Sequence, residues 1–102
     1  MKIELHDGPV STTPAMLTYA HNKIGAALGR FGSVIEAVRI VVRDITGPRG
    51  GADTLCTLHA RVSWRGHSVV VAADHGPDYY TAVQSASKKL KLALRRMIDR
   101  AR

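Results

Sequence analysis

From position 79 to the C-terminus, Tyr79, Val83, Ala86, Leu90, Leu94, Met97 and Ala101 recur every three or four residues. That is the interval that lines one face of an α-helix with apolar side chains. A stripe of this length must be covered by a second layer, so the rest of the chain has to supply one. Asp78, just ahead of it, suits the N-cap, where a carboxylate accepts a backbone N–H that has no partner inside the helix.

The partner layer is legible upstream as period-two alternation. Over residues 37–44, Val38, Ile40 and Val42 share one face and Arg39, Val41 and Arg43 the other, the pattern of a strand with one side in the core. Residues 55–65 repeat it: Cys56, Leu58, Ala60, Val62 and Trp64 lie on one face and Thr57, His59, Arg61 and Ser63 on the other. The turn-rich stretch DITGPRGGAD, residues 44–53, reads as the loop between them. Arg65-Gly66 offers a tight turn into residues 69–73, which are apolar at every position, so period alone does not say which face points inward. DHGPD then separates this strand from the terminal stripe.

At the start of the chain, Ile3 and Leu5 alternate with Lys2, Glu4 and His6, a brief strand ended by HDGP. Thr13 followed by Pro14 marks a helix start, since threonine caps an orphan N–H and proline in the first turn lacks a donor that would go unused. Leu17, His21 or Ala20, Ile24, Leu28 and Phe31 follow at helical spacing, which predicts a helix from about 14 to about 28 with Gly29 or Gly32 near its end. No internal repeat, linker or low-complexity segment interrupts the 102 residues, and a single domain over 1–102 is expected. The predicted fold is α+β in the order β-α-β-β-β-α, with both helices on one side of a four-stranded sheet and the other side open.

Charge is concentrated at one end. Residues 88–102 account for +6 of the formal +7 through Lys88, Lys89, Lys91, Arg95, Arg96, Arg100 and Arg102, opposed only by Asp99. On a helical wheel Lys88, Lys91, Arg95 and Arg102 form one flank of the outer surface and Lys89, Arg96 and Arg100 the other, with Leu92 and Asp99 between. A solvated helix face ordinarily mixes signs, whereas here like charges repel with few acidic neighbours at i±4. A site for an anionic polymer is the better reading. A membrane-lying helix needs its apolar side free, and the sheet claims that side, so nucleic acid leads. The open sheet face adds Lys2, Arg39, Arg43 and Arg61, diluted by Glu4. With five aromatic residues in all, and no aromatic pair on that face to stack bases, contacts should fall on phosphate and shape and weaken with salt.

Catalytic and metal chemistry find little support. Cys56 and His59 lie on opposite faces of one strand, and the five histidines lack zinc-ligand spacing. GPRGG lacks the rest of a phosphate-binding loop, although Arg49 at its tip is within reach of a phosphate. No nucleophile elbow or triad order occurs. We therefore expect a non-enzymatic protein without cofactor, metal or small-molecule substrate. One cysteine excludes an intramolecular disulfide, MKIELHDGPV has no signal-peptide core, and the apolar run 69–73 is far too short for a bilayer. A cytoplasmic location fits.

Asp78, Tyr80, Ala82 and Val83, followed by Lys89-Leu90, Leu94 and Arg96, resemble the Asp-x-Tyr-x-Ala-Ile stretch that opens the last helix of the ribosome hibernation promoting factor family, which includes the ribosome-associated inhibitor A proteins. Thr13-Pro14, Tyr19, Lys23 and Ile24, then Leu28, Arg30 and Phe31 after a one-residue shift, are similar to that family's first helix, and the likeness spans nearly the whole chain. The resemblance implies a fold like a double-stranded-RNA-binding domain and a stress-response role. It also implies rRNA binding in the decoding region of the small ribosomal subunit, with steric inhibition of translation. It adds Lys23 and Arg30 to the candidate RNA-binding set. Gln84 and Lys88 depart from commonly acidic family positions, and Leu92 from a commonly basic one. By the same likeness this is a short form, without the ribosome-dimerising C-terminal domain of long members. Two other classes stay open: a general RNA- or DNA-binding module acting away from the ribosome, and a homodimeric interaction domain using Val41 and residues 69–73. Within the leading reading, Lys89 and Arg96 are expected to matter more than Arg61.

Overall fold

The computed structural model describes residues 1–5, 12–46 and 50–100. In chain order it has β1 (Lys2–Leu5), α1 (Pro14–Leu28) with a 3-10 turn at Gly29–Phe31, β2 (Ile35–Thr46), β3 (Ala52–Ser63), β4 (His67–Gly76) and α2 (Tyr79–Arg100). The sheet order is β1-β2-β3-β4. β1 runs parallel to β2, as a strand-helix-strand crossover requires, and the two hairpins are antiparallel. The α+β class and the β-α-β-β-β-α order expected from the sequence are both present.

The alternation sorts the sheet's faces. Val38, Ile40 and Val42 of β2 and Cys56, Leu58, Ala60 and Val62 of β3 are buried against Ala20, Ile24 and Leu28 of α1 and Val83, Ala86, Leu90 and Leu94 of α2. Arg39, Arg43 and Arg61 point to the opposite, uncovered side. In α1 the inward residue is Ala20, not His21, which is exposed. In β4, where pattern was silent, Val70 and Ala72 turn half-buried towards the helices while Val69 and Val71 stand exposed on the open side.

The strands outrun their expected limits. Asp44, Ile45 and Thr46 pair with Thr54, Asp53 and Ala52, so the first hairpin's ladder consumes both ends of the stretch read as loop; residues 47–49, with Arg49, lie outside the described residues. Likewise Asp74, His75 and Gly76 of DHGPD pair with Cys56, Leu55 and Thr54. Polar side chains there do not end a strand, because the backbone hydrogen bonds of a neighbouring strand are still available. Trp64 falls just beyond β3, in a turn where Arg65 (φ 54°) and Gly66 (φ 106°) both adopt the left-handed region. The HDGP turn, and Ala101 and Arg102 at the end of the terminal stripe, lie outside the described residues.

Both helix starts follow their capping residues. The Thr13 hydroxyl accepts from the Met16 N–H at 3.2 Å, and an Asp78 carboxylate oxygen accepts from the Thr81 N–H at 2.8 Å. That bond, first among its causes, holds the Asp78 carboxyl below its ordinary range. A carboxylate with a depressed folded pKa stabilises the protein above its unfolded value, near pH 4, and loses that contribution as pH falls through the folded value. The thermal midpoint of Asp78→Ala should therefore lie below wild type at pH 6, with the gap closing as pH falls through the folded-state pKa; a gap independent of pH would contradict the charged cap.

The chain reverses tightly between β4 and α2. A Cβ on buried Gly76 would sit 2.8 Å from Thr81 Cγ2 and 3.2 Å from the Ala82 backbone nitrogen. We predict that Gly76→Ala costs about 1–3 kcal/mol through forced backbone displacement, read as a lower urea midpoint with unchanged m-value.

Candidate nucleic-acid interface

The geometry of α2 begins with what it hides. Tyr79, Ala82, Val83, Ala86, Leu90 and Leu94 are buried, and Ser87, the polar member of that face, satisfies its hydroxyl by donating to the Val83 carbonyl at 2.7 Å. Burial of this side leaves the cations no place but outside. Lys88, Lys89, Arg95, Arg96 and Arg100 are exposed and Lys91 is half-buried.

Two neighbours divide these cations. α1 lies antiparallel to the strands it connects, and α2 doubles back along β4, which runs in the same direction as β2, so the helices are side by side and parallel. Tyr19 of α1 meets Tyr80 of α2 edge to face at 4.9 Å. Lys88, Lys91 and Arg95 lie further along the strip that Tyr80 opens, on the flank facing α1, and Lys23 is one turn beyond Tyr19. On the opposite flank Lys89 Nζ reaches Asp74 Oδ2 of β4 at 3.5 Å, with Arg96 and Arg100 beside it; Arg100 Nε donates to the Arg96 carbonyl at 3.4 Å. Among the described residues no carboxylate lies within ion-pair distance of Lys88, Lys91, Arg95, Arg96 or Arg100.

The remaining predicted residues separate into two groups. Arg30 follows α1 in the 3-10 turn, its guanidinium 5.5 Å from the Phe31 ring centre. Arg39, Arg43 and Arg61 lie across the sheet from the helices. Arg61 Nη2 is 3.7 Å from Glu4 Oε1, and Arg39 and Arg61 border a shallow depression with Glu4, Ala37, His59 and Val69. The eleven candidates thus form two surfaces on opposite sides of a thin domain, not one. Arg65, a further cation outside those eleven, stands with its guanidinium 5.9 Å from the Trp64 ring centre at the hairpin turn; the Arg-Gly pair that marks this turn is its signal in the sequence.

Among the described residues no three His, Cys, Asp or Glu side chains gather to hold a metal ion. Burial pushes the Cys56 thiol up to about 12 and the Tyr79 hydroxyl to about 12, so both stay protonated near neutrality. Among the described residues no helix is long and apolar enough to cross a membrane.

Two helices on one side of a four-stranded sheet, with a cation-rich outer helix, define a compact basic β-α-β-β-β-α domain. The family model described as sigma 54 modulation protein / S30EA ribosomal protein matches residues 3–102, and the chain belongs to that family, in agreement with the resemblance read around Thr13 and Asp78. A ribosomal subunit interface protein from Coxiella burnetii has the same fold, with TM-score 0.77 and 17% identity over 97% of this chain and 99% of that one. The N-terminal domain of Protein Y from Thermus thermophilus gives TM-score 0.73 and 17% identity over 95% and 99%. No curated protein matches the chain.

Proposed function

We propose that the protein is a non-enzymatic, cytoplasmic ribosome-binding factor that occupies the decoding region of the small subunit through rRNA phosphates and inhibits translation sterically. The observation that carries this reading is the α2 strip: its apolar side is spent on the sheet, and Lys88, Lys91 and Arg95 project beside α1 without a carboxylate partner among the described residues. Fixed cations at spacings of one turn suit folded RNA, whose phosphates are regularly placed, and bind it with release of counterions. Family membership supports the ribosome as the source of that RNA. Lys23 and Arg30 extend the surface along α1, while Arg39, Arg43 and Arg61 form a second, weaker contact face.

Sedimentation of tagged protein with small subunits at physiological salt tests the proposal. Co-migration that is competed by mRNA and tRNA is the expected result. Protein that remains at the top of the gradient, yet binds random duplex RNA or DNA with the same affinity in the presence or absence of ribosomes, would replace this reading with a general nucleic-acid module.

A further inference from the structure

We propose that the outer edge of β4 receives an extended peptide segment whose side chains alternate acidic and apolar. This surface is separate from the α1-facing strip of α2 and does not depend on ribosome binding. β4 ends the sheet order, and among the described residues no strand covers its second edge. Its ten residues pair with β3 in unbroken register from His67 to Gly76.

Proteins blunt such edges with lysine, proline, a bulge or a very short strand. β1, at the other edge, is four residues long and carries Lys2 and Glu4. β4 has none of these devices: between His67 and Ala73 it contains no Lys, Arg, Glu or Pro. A long, regular edge whose one acidic side chain, Asp74, already meets Lys89 is a template for strand addition, in which backbone hydrogen bonds supply affinity and alternate side chains supply selectivity.

The surroundings define the alternation. On the open side of the sheet Val69 and Val71 are 58% and 54% exposed, which favours apolar neighbours on an added strand. On the helix side lies the Lys89, Arg96 and Arg100 flank, fixed beside β4 by the Lys89–Asp74 contact. Arg96 is seven residues beyond Lys89, about 10 Å along α2. Val71 is three residues before Asp74, also about 10 Å along β4 in the returning direction. The cation and the exposed valine therefore stand at a similar level of the edge, on opposite faces. An incoming strand projects side chains to the two faces in turn, so one set meets valines and the other meets cations.

Charge selects among occupants. A second copy of this chain, paired through β4 about a two-fold axis, brings its own Lys89, Arg96 and Arg100 against the first copy's, and like charges oppose that union. A nucleic-acid strand lacks the alternating N–H and C=O groups that the edge requires. An acidic-apolar peptide satisfies the backbone and both faces together.

The test uses the full chain and a fluorescein-labelled octapeptide of alternating glutamate and valine, followed by anisotropy. Controls are a peptide of the same composition with its glutamates and valines in blocks, and one alternating lysine and valine. The alternating acidic peptide should bind about tenfold or more tightly than either control, since only it matches edge, apolar face and charge. It should also slow amide exchange across residues 69–73. Val71→Lys and Arg96→Glu should each weaken binding about fivefold or more, with Val69→Lys as a second open-face variant should Val71→Lys fail to fold. Alanine at Lys88, Lys91 and Arg95 should leave it unchanged. Equal binding of the block peptide, indifference to the edge variants, or concentration-dependent dimers lost on Val71→Lys would each overturn the proposal, the last by assigning the edge to a second copy.

Discussion

Simultaneous replacement of Lys88, Lys91 and Arg95 by alanine is expected to weaken binding to small ribosomal subunits about 10²-fold at 0.15 M salt and to reduce the slope of log K against log salt by about two to three. Each lysine or arginine that neutralises a phosphate releases counterions, so removing three such contacts changes affinity and salt dependence together. These side chains are exposed or half-buried and lack carboxylate partners among the described residues, so their loss should leave the circular dichroism spectrum and thermal midpoint nearly unaltered. Lys89→Ala should weaken binding less than any one of the three, because Asp74 already meets its charge. Arg61→Ala should also have a small effect, as Glu4 faces it and it lies across the sheet. Lys89 together with Arg96 is still expected to matter more than Arg61, which lies across the sheet. Titrations at four salt concentrations measure both quantities, and an unchanged slope in the triple variant would remove α2 from the interface.

Leu90→Ala should produce the largest loss of stability. Leu90 is fully buried midway along α2, and truncating a leucine at such a site removes its transfer free energy and leaves a cavity, for a cost of about 2–5 kcal/mol. Against the roughly 5–15 kcal/mol total of a small domain, that change should lower the thermal midpoint by about 10–30 °C. Leu92→Ala, two residues away but 45% exposed, should be nearly neutral. Leu90→Met, which nearly conserves volume, should cost less than about 1.5 kcal/mol. Calorimetry on the three variants checks the order. A mild Leu90→Ala would mean that α2 is not anchored through its stripe, and the exposed cation strip would lose its scaffold.

Much of the site was readable before any coordinates, for a local reason. Lys88, Lys91 and Arg95 are placed outward by the same 3.6-residue period that turns Leu90 and Leu94 inward, and period is a property of consecutive residues. Thr13, Pro14 and Asp78 mark helix starts because the orphan N–H groups they serve lie within three residues of them. What cancels a charge is not local. Asp74 is fifteen positions from Lys89, and Glu4 is on a different strand from Arg61, so neither neutralisation appears in any window of the sequence.

The chain by itself determined the α+β order, the two amphipathic helices and the existence of a basic outer surface, because periodicity, capping and charge density act over one or two turns. Tertiary structure alone decided that Val70 and Ala72 face inward while Val69 and Val71 stay bare, that the hairpins extend through their polar ends, and that the cations divide between α1 and the β4 edge. Those outcomes follow from strand pairing and helix packing between distant residues, where a uniformly apolar run or an unpaired lysine carries no directional signal until its neighbour is in place.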